Sequence, residues 1–343
     1  MKIAVTGGSG FFGSLLIKKL LDLGINCTNI DIINSKITHP NFDEIIVDVT
    51  TDEFFDCDLK GVELIFHNIA AVPLLNDRKL FEDTNVLGTK KVIEKAIRSN
   101  VPKIINMSSS AIFGIPQSNP VNEESACFPI DPYGKAKLKA ENLFFNYIND
   151  IEFLSIRPRT IIGPERLGIF QILYEWIIEN ENIPVLDGGQ NRYQFLNVKD
   201  LVNFNIALID KNLNNTVVNI GSKKFQKLSD DLSDLISHSG SESKVKSINK
   251  NLVKYSLLTT NFLKLTPLST YHALMYGESL YFDNLRLKNE FNFEPKFSNI
   301  DTLIQGFEWY VKNRPNILNA SDLSSPHKTA VKQRLLKIVP KLI

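Results

Sequence analysis

Tyr133 and Lys137 stand four residues apart in the segment "DPYGKAKLKAE", residues 131–141, and of the nine tyrosines only this one has a lysine four places on. On a helix that spacing puts the phenol and the ammonium on one face. A phenol titrates near ~10, too high for a base at neutral pH, and a close positive charge lowers it. The pair is a candidate proton-transfer centre. Two neighbours on a solvated helix face give the same spacing in a chain where Lys and Arg make up 39 of 343 residues.

A second group of residues could hold a phosphorylated ligand. In "KIAVTGGSGFFGSLLIKKL", Gly7, Gly10 and Gly13 form GxxGxxG between a short apolar run and a helical pattern. Glycine permits a tight turn and lets the backbone approach a pyrophosphate, whose charge then rests on a helix amino end. Asp31 closes the next apolar run, "NCTNIDI", 18 residues beyond Gly13. A carboxylate there accepts both hydroxyls of an adenosine ribose and repels a 2′-phosphate, which favours NAD over NADP. A turn aspartate at a strand end is the plainer reading. The same ambiguity attends Asp48, followed by Val49, which could bond an adenine amino group and by itself reads as a turn residue.

The elements that must position these groups follow from patterning. "KIAVTG", "NCTNIDI", "EIIVDV", "ELIFHNIA", "KIINMSS" and "EFLSIRP" are short, nearly continuous apolar runs, the first five separated by amphipathic segments. Such strands belong to a parallel sheet covered on both faces, so the fold class is α/β, a Rossmann-type doubly wound parallel sheet. After about residue 163 the rhythm changes, which predicts a smaller C-terminal substrate-binding lobe over the carboxyl edge of the sheet. The expected organisation is 1–162 for the NAD-binding domain, 163–312 mainly for the lobe with some return to the first domain, and 313–343 for a linker and basic tail.

Bulk properties exclude several functions. The formal net charge is +1, giving no global field for nucleic acid. Cys27, Cys57 and Cys127 are scattered, and the five histidines show no ligand spacing, so neither a disulfide framework nor a metal site is expected. No signal peptide or membrane span is evident, and a cytoplasmic location is the expectation. The tail differs: Lys328, Lys332, Arg334, Lys337 and Lys341 accompany no acid, and Val331, Leu335, Val339 and Leu342 recur near helical spacing. That pattern suits a peripheral contact with an anionic membrane as well as it suits a solvated terminal helix or a disordered tail.

Taken in order, "TGGSGFFG", "DV" at 48, "HNIAA", "NVLGT", "SSSAIFG", "YGKAK", "RPRTIIGP" and "NRYQFLNVKDL" resemble the extended short-chain dehydrogenase/reductase superfamily, the NAD-dependent epimerase/dehydratase group. The resemblance spans about residues 1–312. It implies a catalytic set of Ser109, Tyr133 and Lys137: Ser109 orients the substrate oxygen, Tyr133 exchanges its proton, and Lys137 also bonds the nicotinamide ribose. It extends the NAD contacts to Phe11, Phe12, Val49, Ala70 and Asn85 beside Gly7, Gly10, Gly13, Asp31 and Asp48, and it suggests a homodimer.

The resemblance narrows the reaction. Sugar-nucleotide 4,6-dehydratases carry an Asp-Glu pair where this chain has Ser110 and Ala111, so dehydration is not expected. The triple serine is similar to UDP-hexose 4-epimerases, which implies a nucleotide-sugar substrate with Ser109, Ser110 and Arg192 as contacts and Arg192 on the diphosphate. A second phosphate-binding arginine is missing before "YFDNLRLK", where only His272 stands. The alternative is a 3β-hydroxysteroid dehydrogenase-like enzyme acting on an apolar alcohol. A non-catalytic NAD-sensing regulator on the same fold is a more distant rival, since it would not need Ser109, Tyr133 and Lys137 together.

Overall fold

The computed structural model describes residues 1–72, 77–249, 275 and 277–319. Eleven strands occur among them: β1 Lys2–Thr6, β2 Asn26–Asp31, β3 Phe42–Ile46, β4 Leu64–His67, β5 Lys103–Met107, β6 Glu152–Pro158, β7 Thr160–Ile162, β8 Ile183–Leu186, β9 Phe195–Asn197, β10 Thr216–Ile220 and β11 Val245–Ile248. The helices are α1 Phe11–Asp22, α2 Arg78–Phe81, α3 Gly88–Arg98, α4 Pro132–Phe145, α5 Ile169–Ile178, α6 Val198–Ala207, α7 Leu228–Ser239, α8 Leu285–Phe291 and α9 Asn299–Asn319.

Seven strands form one sheet in the order β10-β6-β5-β4-β1-β2-β3. All its pairings are parallel. The order reverses at β1, whose carboxyl end opens between β4 and β2, and ligands of such sheets bind at that switch point. Apolar side chains pack both faces. Ile3, Val5, Leu16, Ile17 and Leu201 belong to one cluster; Ala4, Ile65, Val92, Ile93, Ile104 and Phe144 belong to the other. This two-sided burial is why the strands are apolar throughout instead of alternating.

A third apolar cluster joins Phe170, Tyr174, Leu232, Leu235, Phe307 and Tyr310 from later in the chain. It accompanies two small parallel pairs, β7 with β9 and β8 with β11. Two features bear on the linear division of the sequence, the first a return to the NAD-binding domain and the second a departure. Strand β10, far beyond residue 162, completes the main sheet beside β6. Helix α9 continues through Pro315 to Asn319, past the residue where a linker is expected. Its later part is anchored by Arg314, whose Nε lies 2.8 Å from Glu175 Oε1 on α5. The basic tail and His272 lie outside the described residues.

Candidate active site

The glycine loop joins β1 to α1 at the switch point. Gly7 has φ +72°, a region that disfavours side chains, and a Cβ on Gly13 would lie 2.3 Å from Gly7 O and 2.7 Å from Gly8 Cα. Backbone cannot yield to such a contact, so helix and turn approach this closely only with glycine. Gly10 caps α1 with extended backbone and no side-chain hydrogen bond. The first-turn amides of a helix have no intrahelical acceptors, so this end is open to an anion. Phe11 and Phe12 are buried in the core beneath, which leaves their backbone, not their rings, for a ligand.

Asp31 ends β2 beside this loop. Its carboxylate accepts Ser9 N–H at 3.0 Å and Ile33 N–H at 3.1 Å, which fixes it against the turn. The glycine cradle, the open helix end and the adjacent acid together fit an adenine dinucleotide. Asp48 is exposed and accepts Thr50 N–H at 2.8 Å in a local turn, with Val49 buried behind it. Ala70 lies in the segment after β4, whose Ile69 N comes within 3.0 Å of the position a Gly7 Cβ would take.

Asn85 is fully buried in a π-helical turn, Glu82–Leu87, between α2 and α3. Its side chain accepts Ala71 N–H at 2.7 Å and donates to Ala71 O at 3.1 Å. The residue thus clamps the backbone after β4 instead of offering its amide outward. Beneath it the Thr89 hydroxyl donates to Asn85 O, so its oxygen accepts from His67 Nε2 at 2.9 Å, leaving His67 Nδ1 to accept from Thr6. Burial pushes this neutral imidazole down to about 3, helped by the Lys137 charge.

The catalytic candidates meet where α4 begins. Asp131 caps the helix, accepting the Tyr133 and Gly134 amides at 3.2 and 3.1 Å, and Pro132 occupies the first turn. A Cβ on Gly134 would lie 2.6 Å from Ala111 O, so the helix start presses directly on the turn that carries Ser109. Ser109 caps that short 3-10 turn by accepting Ala111 N–H at 3.1 Å. The half-buried Tyr133 stands at this contact, and the Ser109 side chain acts on its phenol. Its ring meets Phe81 edge-on at 5.8 Å.

Lys137, one turn on, is 4% exposed and donates to the Met107 carbonyl at the end of β5 at 2.6 Å. Burial pushes its ammonium down to about 8, and the Glu141 carboxylate opposes this. Burial pushes the Tyr133 phenol up to about 12; the Ser109 side chain opposes the rise and Asp131 adds to it. Lys137, expected from the sequence to lower the phenol, is not among the groups that act on it, and the protein's own groups hold Tyr133 as a neutral phenol.

The Lys137 shift has a measurable consequence. Its folded value lies below the unfolded one, so between about pH 8 and about 10.5 the unfolded chain keeps a proton that the folded chain has released. Wild-type stability should therefore rise relative to Lys137→Met across that window, by up to about 1.4 kcal/mol for each unit between the two values. Urea unfolding of both proteins near pH 7.5 and near pH 9.5 measures it, and a difference that does not change with pH contradicts the assignment.

The three serines separate. Ser108 is buried with no partner for its hydroxyl among the described residues, and Ser110, 4% exposed, accepts Arg159 Nη1 at 3.0 Å. Ala111 is buried. Arg192 is exposed: its amide donates to Ser279 Oγ at 3.0 Å and its guanidinium lies 6.0 Å from the Tyr281 ring. Its neighbour Tyr193 turns the other way, sharing a 3.0 Å hydrogen bond with Thr160 Oγ1 and lying over Arg159 at 4.7 Å. Sequence reasoning missed Arg159, Thr160 and Tyr193, although the first two stand in "RPRTIIGP". It also missed Glu141, four residues after Lys137, which binds Arg157 through two nitrogens. Among the described residues no group of three or more potential metal ligands occurs, and no helix is long and apolar enough to cross a membrane.

The NAD dependent epimerase/dehydratase family matches residues 3–221, and the chain belongs to it. It is thus an enzyme of the extended short-chain dehydrogenase/reductase type, a family whose cofactor is NAD. An uncharacterized protein, y4nG, of Sinorhizobium fredii is 36% identical over 339 residues, covering 98% of this chain and 85% of the relative. The human sterol-4-alpha-carboxylate 3-dehydrogenase, decarboxylating, is 30% identical over 67% of this chain and 62% of its own length. Among solved structures, the UDP-glucose 4-epimerase of Thermotoga maritima with UDP-glucose superposes with a TM-score of 0.76 at 22% identity, covering 92% of this chain and all of that one.

Proposed function

We propose that the chain oxidises a secondary hydroxyl with NAD, as a 4-epimerase acting on a nucleotide-sugar. The observation that carries this reading is the meeting of Tyr133 with the Ser109 turn, on which the start of α4 presses through Gly134, with the buried Lys137 one turn behind. Ser109 holds the substrate oxygen and Tyr133 takes its proton. Lys137, fixed by the Met107 carbonyl, would bond the nicotinamide ribose. Bound NAD supplies the hydride acceptor, and its positive charge favours the phenolate that burial opposes. Gly7, Gly10, Gly13 and Asp31 hold the dinucleotide, with Phe11 and Phe12 contributing backbone. Dehydration lacks its acid and base, since Ser110 is tied to Arg159 and Ala111 is buried.

A cavity of about 360 Å³ opens beyond the Ser109 turn, lined by Ile115, Asn119, Leu186, Asp187, Gln190 and Glu278 among others. Its described lining holds two acids and no cation, which does not favour a diphosphate there. Together with the outward position of Arg192 and the sterol-dehydrogenase relative, this supports a second reading, oxidation of an apolar secondary alcohol.

Mass spectrometry of the nucleotide that co-purifies, followed by parallel assays of UDP-sugars and hydroxysteroids, separates the readings. Retained NAD and an interconverted sugar with no net NADH support epimerisation. NADH accumulating with a hydroxysteroid supports the second reading, and bound NAD with no turnover of either class contradicts both.

A further inference from the structure

Arg159 is 1% exposed and heads the bulkiest side chains that the fold encloses. Nη1 donates to Ser110 Oγ at 3.0 Å and Nε to the Gln194 carbonyl at 3.2 Å, while Nη2 has no acceptor among the described residues. The rings of Tyr193 and Phe282 lie 4.7 and 5.9 Å from the guanidinium carbon. No described carboxylate pairs with it. Arg157, two residues earlier, is answered by the buried Glu141 at 2.6 Å. Neutral acceptors and aromatic faces offset only part of the cost of removing a guanidinium from water.

The place of this charge indicates what would balance it. Arg159 follows the last residue of β6, at the carboxyl edge where α/β sheets bind ligands. The oxygen of Ser110 accepts from Arg159, so its proton is free for another acceptor, and the described residues supply none. Thr160 and Tyr193, both half-buried, share one hydrogen bond, which leaves one of their two hydroxyl protons to donate elsewhere. A buried cation ringed by three hydroxyls and no acid is a site built for one negative charge.

We propose that Arg159, Ser110, Thr160 and Tyr193 form the seat of a carboxylate that the substrate carries on the carbon next to the reacting carbinol. The proposal rests on the redox reading of Ser109 and Tyr133. Ser109 holds the reacting oxygen and Ser110 is the next residue, with α-carbons about 3.8 Å apart. The seat thus adjoins the residue that holds the reacting oxygen, and a β-hydroxy acid is the substrate class that carries a hydroxyl and a carboxylate on neighbouring carbons. The hydroxyls touch the anion, and the guanidinium behind them supplies the charge.

The test is calorimetric titration of the NAD-loaded protein with two matched pairs: UDP-glucuronate against UDP-glucose, and a 3β-hydroxysteroid-4α-carboxylate against the same steroid without the acid. In one pair the acid should bind roughly ten- to a hundredfold more tightly. Arg159→Met should reduce that preference to within a few-fold, and Arg159→Lys should keep part of it. NAD affinity reports whether each variant is folded. Should Arg159→Met not fold, the Ser110→Ala, Thr160→Val double variant should show the same loss of preference. No preference for the acid in either pair, or a preference that survives these changes, overturns the seat. An acid that binds with the predicted preference but is never oxidised leaves the seat standing and refutes the redox reading.

Discussion

Tyr133→Phe should lower turnover of the oxidised alcohol by roughly a hundred- to ten-thousandfold, the range a positioned general base contributes. The variant loses one oxygen, the one proposed to take the substrate's proton. The Asp131 cap, the close contact of Gly134 with Ala111 O and the edge contact of the ring with Phe81 do not depend on it. NAD affinity, measured by calorimetry, should therefore stay within a few-fold of wild type. Turnover within a few-fold of wild type removes Tyr133 from the proposed mechanism.

Glu141→Ala should cost about 3–5 kcal/mol of folding stability, because it leaves the Arg157 guanidinium buried without its counter-charge. Glu141 is 1% exposed, and its oxygens take Arg157 Nη2 at 2.6 Å and Nε at 3.0 Å; among the described residues only the Glu123 carbonyl, 3.3 Å from Nη1, would remain as an acceptor. Replacing both partners with apolar residues, as in Glu141→Leu with Arg157→Met, should cost much less than the single change, since no orphaned charge remains. Urea midpoints of the three proteins decide it. A single variant that loses less than about 1 kcal/mol would show that Arg157 finds water or another acceptor. Glu141 also opposes the fall in the Lys137 value, so the surviving fraction of Glu141→Ala should carry a more readily neutralised lysine.

These effects separate what is local in the chain from what is not. The glycine turn, Asp31, and the pairing of Tyr133 with Lys137 are contiguous patterns, each set by its own turn or helix, and they were legible before any tertiary contact was known. The seven-stranded parallel sheet followed from the apolar runs, except for β10, whose partner β6 lies far earlier in sequence. The environment of each group was not legible. Nothing near Lys137 in sequence announces the Met107 carbonyl, and nothing near Asn85 announces that its amide is spent on Ala71.

Arg192 illustrates the limit most sharply. Adjacent residues of an extended segment face opposite ways, so a one-residue difference exchanges inside for outside. Arginine drew the reading because guanidinium chemistry suits a diphosphate, yet the structure turns Tyr193 toward Thr160 and Arg159 and leaves Arg192 over Tyr281. Arg159 was overlooked for the converse reason. A guanidinium in an apolar stretch is read as a surface group until the rings and carbonyls that enclose it are seen.

Strand β10 bears on how the chain is made. As synthesis proceeds from the amino end, β6 emerges before its outer neighbour exists, and the main-chain groups of Leu154 through Pro158 that later pair with Thr216 through Ile220 stay open. An unpaired apolar edge invites association between nascent chains. A fragment ending at residue 162 would carry that edge permanently, so the residues that bind NAD are expected to need the later half of the chain simply to remain dispersed.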